Sequence, residues 1–357
     1  MKTTLLIALS LTLTSTTFAA DPEKDPVNKK VDAAVKKALG YLAKTQRTDG
    51  SWGIRGGAGN PAITGLSVMA FLSAGHVPGE GPYAKTIEKG IRAVMKFQAA
   101  NGLIADNSGH EMYHHGICSI MLAEVVGMTQ GKLATEVRKR VEKAVKIILT
   151  AQRQNSSSYH YGGWRYRVSG SDSDISVTGW QVMALRAARN IGCDVPPKRI
   201  EMAVNYIKRC QDKSTGSFRY SPRGHRTIPC TGTSILALEL CGKQHHLSPE
   251  VKKAGAYLLR YPIKWSYRTS HNYFYYSLYY CSQAMFQLGM NYWKVFRKQM
   301  HDALLNNQSS TGAWVRTWGS DSRFGPNYGT AMCVLALTVE YRFLPIYQRG
   351  NESIKKE

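Results

Sequence analysis

Self-similarity at a period of about fifty residues constrains this chain more than any other feature, because a pattern that recurs at that spacing implies stacked copies of one supersecondary unit. Six segments open on a small residue and continue as an apolar helix, beginning at Gly65, Gly116, Gly179, Gly232, Ser277 and Gly329, with starts separated by 51, 63, 53, 45 and 52 residues. Each is preceded by a stretch whose apolar residues recur at three- and four-residue steps, as in Val31, Ala34, Val35, Ala38, Leu39 and Leu42, with charges on the opposite face. These second helices are expected over 31–46, 83–98, 136–152, 198–211, 249–261 and 293–308.

A helix that is apolar all round must be buried, whereas one with a charged stripe has that stripe in water. The first set are therefore inner helices and the second outer ones, and the chain is all-α, built of six outer/inner pairs. The small residue at each inner start permits close helix approach near the cap. Strand signals are nearly absent. The pattern alone fits either a closed ring or an open superhelix.

The first twenty residues carry Lys2, an apolar run from Leu5 to Leu13 and small residues ending at Ala19-Ala20, which is the pattern of a secretory signal peptide. A spanning helix needs about 20 apolar residues, and no later stretch supplies them without charges, so no integral membrane span is expected. The expectation is a signal peptide over 1–20, a single helical domain over 21–349, a flexible tail over 350–357, and a periplasmic or extracellular location. Forty-seven Lys and Arg against 24 Asp and Glu give a formal charge of +23. Such an excess either keeps the protein soluble or attracts polyanions, and export makes nucleic acid the least fitting of these. Seven cysteines are an odd number, and Cys118, Cys281 and Cys333 sit inside apolar runs, so mostly buried, reduced thiols are expected.

Five of the outer segments end in Gln, and in four repeats the following turn reaches Gly and then an aromatic ring: Gln46 to Gly50 and Trp52, Gln152 to Gly163 and Trp164, Gln211 to Gly216 and Phe218, Gln308 to Gly312 and Trp314. The second repeat has Gln98, Gly102 and Leu103, and the fifth keeps only Tyr261 to Trp265. This resembles the QW motif of the squalene cyclase, oxidosqualene cyclase and protein prenyltransferase superfamily. Two further stretches, 112–129 and 163–185, resemble exported bacterial squalene-cyclase-like proteins, and the likeness spans essentially the whole mature chain. It implies an (α/α)6 toroid, since six pairs is the number that closes in that superfamily.

The family's catalytic residues carry over poorly. Cyclases of the squalene-hopene type protonate an alkene with a carboxylic acid from an Asp-x-Asp-Asp-Thr-Ala motif, which needs an acid held protonated in a dry pocket. Here the sequence is Asp172-Ser-Asp174-Ile-Ser176-Val-Thr178. Matching the acids pairs Asp172 and Asp174 with the first two family acids. The ungapped register pairs Asp174 with the first and puts Ser176 in the donor's place. Either register leaves Asp174 and Asp172 as the candidate acids, against a plain helix-capping role. Zinc ligation as in prenyltransferases is not expected, because Ile228 and Tyr276 stand where the family has Asp and His. His110-Glu111-Met112-Tyr113-His114 matches His-Glu-x-x-His, yet the glycines before it argue that His110 precedes the helix, so no metal and no cofactor are expected.

In the family's toroids the turns entering the inner helices ring one mouth of the central cavity. Projected here, they nominate His114, His115, Tyr113, Trp164, Arg165, Tyr166, Arg226, Tyr273, Tyr276, Trp318 and Arg323 as ligand-binding, with His271, Asp321 and Arg223 nearby. Such rings stack on sugars or cations, while Arg and His bind acidic groups. Three readings stay open: a toroid binding a ligand or envelope partner at this rim, a terpenoid cyclase-like enzyme acting on an isoprenoid lipid through Asp174, and a lyase or hydrolase of anionic carbohydrate.

Overall fold

Apolar periodicity becomes twelve helices in the computed structural model, which describes residues 26–241, 245–266 and 273–348. The outer helices are α1 (Pro26–Thr45), α3 (Ala84–Lys96), α5 (Gly131–Ala151), α7 (Pro197–Arg209), α9 (Pro249–Leu259) and α11 (Met290–Leu305). The inner ones are α2 (Pro61–Ser73), α4 (Glu111–Met128), α6 (Ile175–Asn190), α8 (Ile228–Leu240), α10 (Phe274–Gln287) and α12 (Gly325–Leu337). The expected signal peptide, the tail over 350–357 and His271 lie outside the described residues. Among the described residues no helix is long and apolar enough to cross a membrane.

Each inner helix packs on the next, and α12 packs on α2, so the inner ring closes. The outer layer closes as well, because α1 packs on both α11 and α12. Burial follows the expected division: in α2 every residue except Ala62 is buried, whereas α3 buries a single face through Ile87, Gly90, Ile91, Ala93, Val94 and Met95. All seven cysteines are free thiols, and six of them are buried.

Five glutamines hold the outer layer together in the same way. Gln46, Gln98, Gln152, Gln211 and Gln308 each donate both amide hydrogens, one to the glycine carbonyl of their own turn and one to the outer helix that follows. The second acceptors are Thr86 O, Arg140 O, Arg199 O, Glu250 O and, closing the ring, Ala34 O at 2.8 Å. The fifth junction is built in reverse: Gln299 of α11 accepts from Ile263 N at 3.3 Å. Gly50 shows why the turn requires glycine, since its φ is +87° and a Cβ there would sit 2.4 Å from Lys89 O. In the third repeat this position is Gly162 rather than the Gly163 of the sequence match.

The ring residue after each glycine locks the turn from inside. Trp52, Trp164 and Trp314 are fully buried and donate their indole N–H to Leu42 O, Ile148 O and Leu304 O, carbonyls near the ends of their own outer helices. Their backbone N–H groups donate to Thr64, Thr178 and Thr330 hydroxyls, and that of Phe218 to Thr231. In the second repeat Ile104, not Leu103, takes the ring's place, and its N–H donates to His115 Nδ1 at 3.0 Å. This pattern corrects the register of the last repeat: Thr330 matches Thr64, Thr178 and Thr231, so Ala331, not Gly329, matches Gly65, Gly179 and Gly232. Those small residues sit a full turn inside their helices rather than at the cap, and they do serve close approach. A Cβ on Gly179 would meet Thr233 Cγ2 at 2.1 Å, and one on Gly232 would meet Cys281 N at 2.9 Å.

Inside the ring, Trp180 stacks on Tyr279 at 5.5 Å, and Tyr280 meets both Trp180 and Tyr276 edge-on. At the end opposite the inner-helix N-termini, the 3-10 turn Pro345–Tyr347 lies against α4 and α6, with Ile346 N donating to the buried Glu124 carboxyl at 3.3 Å.

Candidate functional site

The N-termini of the inner helices gather at one mouth of the ring, where Tyr276 reaches Ser176 and Asp321 reaches Tyr275, and the segments entering them carry most of the nominated residues. Asp174 is the N-cap of α6 and is fully buried. Its Oδ1 accepts from Val177 N at 2.9 Å and from Ser176 Oγ at 2.5 Å, and its Oδ2 accepts from the Arg165 guanidinium at 2.7 Å. Burial raises the Asp174 pKa, while Ser176, Val177 and Arg165 pull it down. Every group bonded to it is a donor, which is the surrounding of a carboxylate rather than of a carboxylic acid looking for an acceptor. Asp172 is exposed and reaches the Arg165 Nε at 3.0 Å from the solvent side. The neighbour of the buried acid is thus an arginine, not a second acid.

Arg165 is the centre of this arrangement. Besides both aspartates it donates to the Tyr220 hydroxyl at 2.7 Å, and its guanidinium lies 4.1 Å from the Tyr166 ring centroid and 5.4 Å from that of Tyr220. Burial opposes its charge, yet Asp174 holds its pKa above the ordinary value. The Tyr166 and Tyr220 hydroxyls are 2.5 Å apart. Tyr113 stacks on Tyr166 at 5.8 Å and bonds the Ser176 hydroxyl at 2.5 Å, while Tyr276 donates to Ser176 O at 3.3 Å from across the ring. Burial, reinforced by Asp174, raises the pKa of Tyr113, Tyr220 and Tyr276, so these phenols remain protonated.

Tyr220 was not among the nominated residues, although the repeat carries its signal: Phe218-Arg219-Tyr220 follows its turn as Trp164-Arg165-Tyr166 follows the previous one. A second buried carboxyl, Asp321, enters from the turn before α12. Its Oδ2 accepts from Tyr275 N at 2.7 Å and Tyr276 N at 3.2 Å, capping α10, the inner helix of the preceding repeat. Its Oδ1 is buried with no side-chain or backbone hydrogen-bond partner among the described residues. Burial pushes the Asp321 pKa up to about 6, against the two backbone bonds and the nearby Arg316. Tyr275 and Tyr328 meet edge-on at 6.1 Å beside it, and Arg316 lies over Trp318 at 5.4 Å.

Two nominated residues prove to be core. Trp164 is fully buried and bonded to Ile148 O, and His115 fills the slot that threonine occupies in four other repeats. Since His115 Nδ1 accepts from Ile104 N, its Nε2 carries the hydrogen donated to Ala144 O at 2.9 Å, and burial pushes its pKa down to about 4. His114 is also buried, its Nδ1 3.3 Å from the Asp106 carboxylate and its Nε2 3.4 Å from the Asn60 amide nitrogen. His110 precedes α4 with non-helical dihedrals and stands against the Tyr113 and Tyr166 rings. The spacing of His-Glu-x-x-His is therefore not carried on one helix, and no group of three metal-ligating side chains occurs among the described residues.

The other nominated residues remain on the water side of the mouth. Arg226, Arg323 and Tyr273 are exposed and Trp318 is half-buried. Arg323 lies over the Phe324 ring at 5.0 Å, and the exposed Arg223 lies over Tyr159 at 4.5 Å.

No family model matches the chain, and no curated protein does. Solved structures do. An inactive α-1,6-mannanase variant from Salegentibacter, solved with α-1,6-mannotriose, aligns at a TM-score of 0.66 with 10% identity over 88% of this chain and 99% of its own. A D-mannose isomerase aligns at 0.64 with 13% identity over 91% and 100%. A type II terpene cyclase from Scytonema aligns at 0.56 with 14% identity over 88% and 99%. The chain is an (α/α)6 toroid. At such identities the likeness shows the fold alone, and toroids of this kind include both sugar-converting and terpene-cyclising proteins.

Proposed function

We propose that this toroid is an exported protein that binds an anionic carbohydrate at the mouth where its inner helices begin. The observation that carries the reading is the engagement of both acids: the buried Asp174 is taken up by Arg165, Ser176 and Val177, the exposed Asp172 is paired with the same Arg165, and exposed arginines and rings stand on the turns around them. Arg223 lies over Tyr159 and Arg323 over Phe324, and Arg226, Tyr273 and Trp318 add charge and ring faces from the other turns, a combination that supplies stacking faces for sugars and fixed charge for carboxylate or sulfate. The test is titration calorimetry with trigalacturonate against neutral mannotriose. Saturable binding of the acidic trimer is expected, and replacing Arg223, Arg226 and Arg323 by Ala should weaken it by about 2 kcal/mol or more. Equal binding of the neutral trimer, or an unaffected triple variant, would overturn the reading.

A second reading, a lyase or hydrolase of the same acidic glycan, is favoured by Asp321, a buried carboxyl with an unengaged oxygen and a pKa near the range useful for proton transfer. It requires release of unsaturated or reducing ends from polygalacturonate, lost in Asp321→Asn. The terpenoid cyclase reading would need Asp174 to surrender its guanidinium partner before acting as an acid.

A further inference from the structure

The clamped turns repeat a second feature on the outside of the ring. Three residues after four of the five clamped carbonyls, the next outer helix presents an exposed lysine: Lys37 after Ala34, Lys89 after Thr86, Lys143 after Arg140 and Lys253 after Glu250, while the buried Met202 takes that place after Arg199. The glycine of the preceding turn packs against this same residue, which fixes its backbone. Between α7 and α9 the wall opens into a groove of about 710 Å³. Lys208, Arg209, Lys213 and Lys253 line it with Tyr161, against a single carboxylate, Glu250.

Its walls are held in place. Gln211 ties the end of α7 to Glu250 O at 3.0 Å, the Arg209 guanidinium donates to Tyr161 O, and Lys253 Nζ donates to Lys213 O. Arg209 and Lys213 are exposed, as is Lys253. Four cations around one concavity focus a positive potential that a lone surface lysine does not. The occupant follows from shape. The lysines that continue from the groove lie around a convex wall, where a flat bilayer touches only one sector, whereas a flexible chain can follow the curve.

We infer that the α7/α9 groove is a binding site for a linear acidic polysaccharide, distinct from the mouth and continued around the outer wall by Lys37, Lys89 and Lys143. The long polymer is engaged here and its short end groups are not. This assignment stands or falls apart from the reading of the mouth.

The experiment is affinity electrophoresis of the whole protein in long-chain polygalacturonate at two salt concentrations, with K208E/K213E/K253E compared with a charge-matched K29E/K132E/K294E variant. The groove variant should retard about tenfold less and lose most of its salt dependence, while the charge-matched variant stays near wild type. Equal losses in both would reduce the effect to net charge and overturn the proposal. So would phosphatidylserine vesicles binding more tightly than the polymer through the same three lysines. If the arginine-to-alanine mouth variant alone abolished retardation, the groove would be excluded and the mouth reading would stand. Loss of trigalacturonate binding with polymer retardation intact would sink the mouth reading alone. Matching thermal unfolding of the two lysine variants guards against a folding defect.

Discussion

Asp174 and Asp321 occupy comparable places, each a buried carboxylate at the start of an inner helix, and they are used in opposite ways. Asp174 caps its own helix, and both of its oxygens are filled by donors from its own turn and from Arg165. Asp321 caps a helix of the preceding repeat through one oxygen and leaves the other buried without a partner among the described residues. A motif match points at the first, yet the first is the one whose two oxygens both already have donors. Reactivity in such a ring is better sought where satisfaction is incomplete than where sequence similarity is greatest.

The largest expected effect is at Asp174. Asp174→Asn would turn an amide N–H₂ toward the Arg165 guanidinium, donor against donor, and should lower unfolding free energy by about 3 kcal/mol in urea titrations. A variant that keeps its stability and loses a measured activity would instead make Asp174 a reacting group and reverse the comparison.

Asp321 makes the converse prediction through pH. Its folded pKa of about 6 lies above the unfolded carboxylate value, so its stabilising proton is fully present below the unfolded pKa and lost as pH rises toward 6. Relative to wild type, Asp321→Asn should therefore lack about 2 kcal/mol of the change in stability between pH 4 and 6, and a carboxyl ¹³C resonance titrating near 6 should vanish. Identical pH–stability slopes in the two proteins would show that Asp321 is not held this way.

His115 runs against it over the same window. With a folded pKa of about 4, it stays neutral while the unfolded chain takes up a proton below about 6.5, so acidification destabilises through this group. His115→Thr, which restores the residue of the other repeats, should remove up to about 3 kcal/mol of that acid-side loss, read by the same titration. The smallest effect is at Tyr220. Tyr220→Phe removes the hydroxyl shared by Arg165 and Tyr166 and should cost about 1 kcal/mol, and an effect as large as that of Asp174→Asn would move the centre of the network from the carboxylate to the phenol.

The architecture was legible because it rests on contacts that recur within each repeat. The steps of Val31, Ala34, Val35 and Ala38 mark a one-sided helix, and a glutamine followed by glycine and a ring marks the clamp wherever it occurs. Less legible were the departures from the repeat. His115 replaces a threonine only when Ile104, rather than Leu103, is placed in the ring's position, and Thr330 is found only through its bond to Trp314 N. The mouth was readable in composition and not in connection. Arg165, Tyr113 and Tyr276 were within reach of the repeat pattern, but the Asp321 bonds to α10 and the Tyr276 bond to Ser176 join different repeats, at separations no local pattern encodes.

The seam between the first and last outer helices is fastened by Gln308 and Ala34 with the same bond that fastens four of the five internal junctions. First and last repeats are therefore neighbours in space, and nothing chemical marks where the circle was cut. A circularly permuted chain, joined across that seam and reopened in another outer turn, would retain its helix contacts, whereas the natural chain cannot finish its perimeter until its last outer helix has arrived.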